Sequence, residues 1–284
     1  MANPTSQVVL LTGCSTGIGR ATALRLRKAG HQVYATARRP GSIADLAAAG
    51  CRTLALDVCD EGSMQAAVAE VEKDEGAVGV LVNNAGYGSD GAVEEVPMDE
   101  VRRQFETNVF GLARMTQLVL PGMRARGRGT IVNLSSMGGR MTLPGGGFYH
   151  ATKYAVEAFS DALRFEVAGF GVKVVIVEPG IISTEFGRTA LDKVRAISRP
   201  GSPYAAFHEK LAQSLEDIYT GQLAKMAGSP DDVAKVIAKA IASPKPRTRY
   251  LVTPGAYLFV GLRRWLGDRG FDAFLRTQFP TPGR

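Results

Sequence analysis

Tyr149 and Lys153 stand four residues apart in Tyr149-His150-Ala151-Thr152-Lys153, a spacing that puts both side chains on one face of a helix. Such a pair can do acid–base chemistry. A free tyrosine titrates near about 10, too high for efficient proton transfer at neutral pH, and a fixed ammonium beside it lowers that value by stabilising the phenolate. Upstream, Ser136 ends the segment Asn133-Leu134-Ser135-Ser136, where its hydroxyl can hold a substrate oxygen. Taken alone, a tyrosine and a lysine at this spacing occur commonly by chance; their weight comes from what precedes them.

What precedes them is Thr12-Gly13-Cys14-Ser15-Thr16-Gly17-Ile18-Gly19, directly after a short apolar run and ahead of a helical pattern. Three glycines in a turn feeding a helix N-terminus make a phosphate cradle. The turn lets a pyrophosphate approach the backbone, and the free N–H groups and helix dipole stabilise its charge. The spacing is GxxxGxG, a variant of the GxGxxG dinucleotide fingerprint. About twenty residues on, an NAD site offers a carboxylate to the ribose 2′-hydroxyl, but here the second strand ends Thr36-Ala37-Arg38-Arg39. Arg38 presents a charged donor fork suited to a 2′-phosphate, which favours NADP(H) over NAD(H). The plainer reading, two surface arginines at a loop, stands beside it.

These groups must be held by a scaffold. Apolar runs at Gln7–Leu11, Gln32–Thr36, Thr53–Leu56, Val78–Val82, Thr130–Leu134, Val172–Val177 and Tyr250–Val252 predict seven strands. Helical patterns at about Ile18–Ala29, Ser42–Ala49, Glu61–Lys73, Asp99–Arg126, Tyr149–Ala168 and Pro230–Ala242 alternate with them. This is the βαβ pattern of an α/β protein, a parallel sheet with helices on both faces. No linker interrupts it, so residues 1–284 read as one domain. The exception is 185–229, an insertion between strands six and seven, where Tyr204, Phe207, Leu211, Leu215, Ile218, Tyr219, Leu223 and Met226 follow the spacing of an amphipathic helix. It reads either as a substrate lid or as simple packing.

Taken together, Thr12–Gly19, Asn83-Asn84-Ala85-Gly86, Asn108, Ser136, Tyr149–Lys153 and Pro179-Gly180 resemble the short-chain dehydrogenase/reductase family over roughly residues 7–253. The resemblance implies a single Rossmann-type, doubly wound domain with a seven-stranded parallel sheet. It also implies that Tyr149 is the catalytic acid/base, that Lys153 tunes it and binds the nicotinamide ribose, and that Ser136 orients the substrate carbonyl. Asn108 would complete the tetrad by holding a water in a proton relay, or else simply bend its helix. The cofactor would meet Gly13, Ser15, Thr16, Gly17, Ile18 and Gly19 at its phosphates. Asp57 and Val58 would meet the adenine, and Asn84, Ala85 and Gly86 the ribose and nicotinamide. Pro179, Gly180, Ile182 and Thr184 would fix the carboxamide, with pro-S hydride transfer.

The substrate walls expected are Met137, Met141, Leu143, Phe148, Tyr87, Phe186 and the insertion, an apolar set that predicts a lipophilic alcohol or ketone. The chain is similar, more loosely, to the hydroxysteroid and retinol dehydrogenase branch, which implies a steroid- or retinoid-like substrate. A 3-ketoacyl-thioester reductase is the enzymatic alternative, and an NADP-binding sensor or scaffold without chemistry the alternative of another class. The net charge of +7 is scattered rather than clustered, so nucleic acid is not an expected partner. Three cysteines without CxxC spacing suggest neither a disulfide framework nor a zinc site, and fit a cytoplasmic protein. No apolar run is long enough to span a membrane. A homodimer or homotetramer is expected. Residues 254–284 form an extension whose aromatic, leucine and arginine residues suit peripheral membrane contact, a partner subunit or the chain's own domain.

Overall fold

The computed structural model describes residues 7–220 and 227–282. Strands β1 (Val8–Leu11), β2 (Gln32–Ala37), β3 (Arg52–Ala55), β4 (Val80–Asn83), β5 (Gly129–Leu134), β6 (Val172–Pro179) and β7 (Arg249–Val252) form one seven-stranded sheet in the order β3-β2-β1-β4-β5-β6-β7. Every pairing is parallel. The seven expected strands are therefore all present, with ends shifted by a residue or two. Strand order reverses at the β1–β4 junction, and in open α/β sheets ligands bind outside the strand C-termini at such a point.

The helices are α1 (Gly17–Lys28), α2 (Ala44–Ala48), α3 (Glu61–Glu75), α4 (Met98–Phe105), α5 (Gly111–Ala125), α6 (Gly147–Val167), α7 (Glu185–Ile197), α8 (Ala205–Thr220), α9 (Pro230–Ala242) and α10 (Pro254–Gln278). The period of two along each strand sends alternate residues to opposite layers. Val9, Leu11, Val33, Val80, Val132 and Val175 face Leu26 of α1 and Val233, Ile237 and Ile241 of α9. Leu10, Tyr34, Leu81, Ile131 and Val174 face Met64 and Val68 of α3, Met115 and Val119 of α5, and Leu163 of α6. Each fully buried aliphatic side chain of this kind stabilises the fold by about 1.5–3 kcal/mol. Arg25 of α1 grips Asp231 of α9 with both Nε and Nη2, at 2.7–2.9 Å, and so ties the first helix to the last of the sheet.

Two expectations need correction. The single helix over Asp99–Arg126 is two helices joined by a π turn at Glu106–Phe110, and that turn carries the buried Asn108. The insertion holds two helices rather than one, because α7 precedes the amphipathic α8. Leu223 and Met226 of the expected apolar row lie outside the described residues, as do the side chains of Ile218 and Tyr219.

Phe207 and Leu211 of α8 pack on Ala92 and Val194, so α8 lies against the loop that leaves β4. His208, with no exposed surface, fixes that contact: its Nε2 accepts from the Ala92 N–H at 2.9 Å. Nδ1 faces Glu95 Oε2 at 3.4 Å. Burial lowers the His208 pKa, with Glu95 opposing, which keeps the ring neutral and leaves Nε2 as an acceptor. The C-terminal extension returns to the same place. After a break at Gly267 (φ +61°) in α10, Phe279 sets its ring 6.4 Å from that of Phe207. Tyr257, Leu258 and Trp265 of α10 remain exposed. Among the described residues no helix is long and apolar enough to cross a membrane.

Replacing His208 by Ala leaves the Ala92 N–H buried without an acceptor, at a cost of about 1–3 kcal/mol. The expected result is faster amide hydrogen exchange in 205–217 by a corresponding factor, with the protection of β1, β4 and β5 unchanged.

Candidate active site

The Gly-rich turn leaves β1 and enters α1 at the sheet's C-terminal edge. Gly13 sits at φ +72°, a region costly for other residues, and a Cβ there would stand 2.9 Å from the Ala85 Cα. A Cβ on Gly19 would meet the Gly13 carbonyl oxygen at 2.2 Å. The turn is braced from β4: Asn84 Nδ2 donates to the carbonyls of Thr12 and Gly13, each at 2.9 Å. Thr12 Oγ1 accepts from the N–H groups of Asn84 and Ala85, each at 3.0 Å. The Asn84 side chain thus shapes the cradle.

Helix α1 begins uncapped. Its N-cap, Thr16, makes no side-chain hydrogen bond to the first turn, and no acidic residue stands there. Ser15 and Thr16 are exposed and Ile18 is partly buried, so unpartnered N–H groups and the positive end of the dipole face the crevice. These features fit a pyrophosphate. Across from them, the Thr184 methyl lies 3.2 Å from where a Cβ on Gly17 would be. Pro179 ends β6, Gly180 is pressed against Thr253, Ile182 is buried, and Thr184 caps α7 by accepting from the Phe186 N–H at 3.3 Å. Pro179–Thr184 therefore closes over the turn from the far side of the sheet.

At the other end of the crevice, Asp57 and Val58 follow β3. Asp57 accepts from the Cys59 N–H, and Val58 is buried with its carbonyl oxygen 2.4 Å from the Cβ position of Gly111. Arg38, one residue beyond β2, is exposed, and among the described residues no carboxylate pairs with it.

Three of the expected four, Asn108, Tyr149 and Lys153, come together beside the ends of β4 and β5, and Ser136 follows β5. Lys153 is buried, and its Nζ donates to the Leu134 carbonyl at 2.8 Å. It lies 5.8 Å from the centre of the Tyr149 ring. Burial lowers its pKa to about 8, with Glu157 opposing. A Cβ on Gly86 would stand 3.8 Å from Lys153 Nζ and 3.0 Å from Asn108 Oδ1, so Asn108, Gly86 and Lys153 border one small space. Ser136 is the N-cap of a single turn of helix at Met137–Gly139, with its Oγ accepting from the Gly138 N–H at 3.0 Å and lying 3.4 Å from the Pro179 carbonyl.

Asn108 does more than bend its helix. Its Oδ1 accepts from the Tyr87 N–H at 3.1 Å, and Nδ2 donates to the Tyr87 carbonyl at 2.9 Å and to Thr152 Oγ1 at 3.1 Å. Both Nδ2 protons are thus engaged with protein, and a relay water would have to be held by an acceptor. Thr152 in turn donates to the Tyr149 carbonyl at 2.7 Å. His150, unremarked in the sequence, is a second brace. Its Nδ1 pairs with the Gly138 carbonyl at 2.9 Å and its Nε2 accepts from the Leu143 N–H at 3.2 Å. Burial lowers its pKa, so the neutral Nδ1–H tautomer holds Gly138 and Leu143 against the start of α6.

Of the expected walls, Phe186 is in place: its ring meets Tyr149 edge-on at 5.3 Å, and Gly88 leaves room for it. Met137 and Leu143 are partly exposed at the rim. Met141 has no exposed surface and is core rather than wall. Two open clefts flank α8: one of about 470 Å³ between Val194, Arg199 and Ala212, the other of about 530 Å³ bounded by Ala92, Val93, Pro144, Gly145 and Phe207. Among the described residues no His, Cys, Asp and Glu cluster is arranged to hold a metal.

The comparisons with known proteins agree with this geometry. The family model for short chain dehydrogenase matches residues 7–195. A 3-ketodihydrosphingosine reductase of Bacteroides thetaiotaomicron is 37% identical over 95% of this chain and 97% of its own. An NADPH-dependent 3-dehydrocapnine reductase of Ornithobacterium rhinotracheale is 34% identical over 93% of this chain and 94% of its own. Among solved structures, a short-chain dehydrogenase from Streptomyces avermitilis superposes with a TM-score of 0.79 at 36% identity, over 97% of this chain and 96% of that one. A Burkholderia phymatum member in complex with NAD does so at 0.78 and 25%, with the same coverage. With the sheet order, the braced Gly-rich turn and the tyrosine–lysine helix all in place, this chain belongs to the short-chain dehydrogenase family and is an oxidoreductase acting on CH–OH or keto groups.

Proposed function

We propose that this protein reduces the ketone of a long-chain lipid with NADPH. The observation that carries the reading is the buried Lys153 ammonium, fixed on the Leu134 carbonyl beneath the Tyr149 ring, with Ser136 held at the end of the same strand. Bound NADPH supplies the hydride. Ser136 Oγ holds the substrate carbonyl oxygen, and Tyr149 gives that oxygen its proton as the carbon becomes tetrahedral. Lys153 stabilises the phenolate left behind. Phe186, against the Tyr149 ring, brings α7 onto the reacting centre, so α7 and α8 act as the lid that excludes water.

Arg38 supports NADPH, since it is exposed without a carboxylate partner and β2 ends without an acid. The Ornithobacterium relative is NADPH-dependent by name, while the Burkholderia structure holds NAD, so the choice falls to residues such as Arg38. The relatives named for 3-ketodihydrosphingosine and 3-dehydrocapnine favour a long-chain keto lipid over a steroid or retinoid. Four filled catalytic positions count against a sensor without chemistry. In an assay of NADPH oxidation, 3-ketodihydrosphingosine should be turned over faster than a steroid ketone or an acetoacetyl thioester; the thioester as best substrate would select the ketoacyl alternative.

Three measurements follow from these assignments. Tyr149→Phe should slow single-turnover hydride transfer by about 10²–10⁴-fold while NADPH binding persists; a rate equal to that of the wild type defeats the assignment. Arg38→Asp removes the donor fork and adds repulsion, and should raise KM for NADPH about tenfold to a hundredfold with KM for NADH lowered. Because burial depresses the Lys153 pKa to about 8, the ammonium is complete below that pH and lost above it. kcat/KM for ketone reduction should therefore fall on the alkaline side of about 8, approaching tenfold per pH unit, and a profile flat to pH 10 would remove Lys153 from that role.

A further inference from the structure

Helix α7 carries a lysine that apolar packing alone does not explain. Phe186, Ala190, Lys193, Val194 and Ile197 follow the i, i+4, i+7, i+8, i+11 spacing of one helix face, and that face lies along the loop after β4. Phe186 sits over Gly88, Val194 packs with Ala92, and Ile197 fills the space that a Cβ on Gly91 would take. Arg188, Asp192 and Arg195 of the same helix are exposed, whereas Lys193 is drawn in beside the apolar residues and is partly buried.

Lys193 meets Glu100, in the first turn of α4, which is itself buried. Its Nζ lies 2.8 Å from Glu100 Oε2 and 5.9 Å from the centre of the Tyr87 ring. The second ion pair of Glu100, with Arg103 of its own helix, is longer at 3.5 Å, and Glu100 Oε1 has no hydrogen-bond partner among the described residues. The carboxylate is therefore well compensated only with α7 in place. A buried pair contributes little net stability, but loss of one partner leaves the other charge unmet, which is costly.

Tyr87 connects this pair to the reacting centre. Its N–H and carbonyl are both bonded to the Asn108 side chain, and Gln104, one turn beyond Glu100, donates to the same carbonyl at 3.4 Å. Seven residues before Lys193 on the same face, Phe186 stands edge-on to the Tyr149 ring. A slip of α7 along its axis by one turn, about 5.4 Å, would take Lys193 off Glu100 and Phe186 off Tyr149 together.

We propose that Lys193 is a positioning residue: its ion pair with Glu100 latches α7 across Tyr87, and so fixes Phe186 against Tyr149 when the cover is closed. This rests on the ketoreductase reading above and deepens it, by naming the contact that holds the cover shut. Without the latch, part of the substrate's binding free energy goes into closing α7, which weakens binding and leaves the filled site unchanged.

The latch is tested first without turnover. With NADP+ saturating, amide hydrogen exchange of the full-length protein should be about tenfold or more faster over 185–197 in Lys193→Met, with β4, β5 and α6 unchanged. Lys193→Arg, which keeps the cation, should stay within about threefold of the wild type. Glu100→Gln with Lys193→Met should be no worse than the worse single variant, since both remove one interaction. Unchanged exchange in Lys193→Met, equal loss in Lys193→Arg, or additive effects in the double variant overturns the proposal. Kinetics give the second arm: KM for 3-ketodihydrosphingosine should rise about tenfold in Lys193→Met, with kcat within about threefold. A parallel fall in kcat would make Lys193 merely structural and overturn its positioning role. If the ketone is not reduced by the wild type, yet exchange over 185–197 still depends on the pair, the reductase reading falls and the latch stands.

Discussion

Lys153 carries an ammonium into a place from which water is largely withdrawn, and the second half of the chain is arranged around making that tolerable. A buried charge is stable only when hydrogen-bonded and compensated. The hydrogen bond comes from the Leu134 carbonyl at the very end of β5, where the strand's ladder to Val177 gives out. Compensation comes one turn further along α6, where Glu157 raises the pKa that burial lowers. Glu157 is itself held by Arg249 of β7 at 2.9 Å, and Arg249 and Arg140 share Glu178 of β6. The position of Lys153 beneath the Tyr149 ring is thus tied, through one chain of charges, to the register of the last three strands.

The same helix is fixed at its start by neighbours of Lys153 in sequence. His150 clamps Gly138 and Leu143, and Thr152 links to Asn108 across the π turn. With residues 150, 152 and 153 each bonded to a different segment, Tyr149 has little freedom to drift. Beneath them, Asn83 and Asn133 join β4 to β5 by an amide hydrogen bond at 2.9 Å, and Asn133 goes on to Ser160 of α6. Buried polar networks of this kind are unfavourable when half satisfied and specify one arrangement when complete. The Gly-rich turn and the Tyr149–Lys153 pair come from halves of the chain more than a hundred residues apart in sequence. They meet because β1, β4 and β5 are consecutive in the sheet.

That order of strands also decides what could be read in advance. Runs such as Val8–Leu11 and Val172–Val177 are buried on both faces, and their β-branched content announced all seven strands. The Gly-rich turn and the Tyr149–Lys153 spacing are local, and a local feature survives in a single sequence. The π turn did not announce itself, since Glu106–Phe110 has the composition of an ordinary helix and its bulge is set by Asn108 reaching Tyr87 and Thr152. Helix α7 was hidden by charge: Arg188, Asp192, Lys193 and Arg195 interrupt the apolar spacing, although Ala190 and Val194 are buried. Met141 looked like a pocket wall by type and proved to be core.

The unequal burial of the parts has a functional consequence. The sheet and its two helical layers share large apolar clusters, whereas the region over the crevice is held by few buried residues, among them Ala92, Val194, Phe207 and Leu211, with His208. Segments with little buried apolar area open at a small fraction of the global unfolding free energy. Phe186 stands at the junction of the two regimes, attached to the weakly held α7 yet in edge contact with Tyr149. Movement of α7 and α8 need not disturb Lys153, Ser136 or the braced turn, which are held by other elements. The rigid part holds Tyr149, Lys153 and Ser136 in place, while the loosely held part around α7 and α8 is the one free to move.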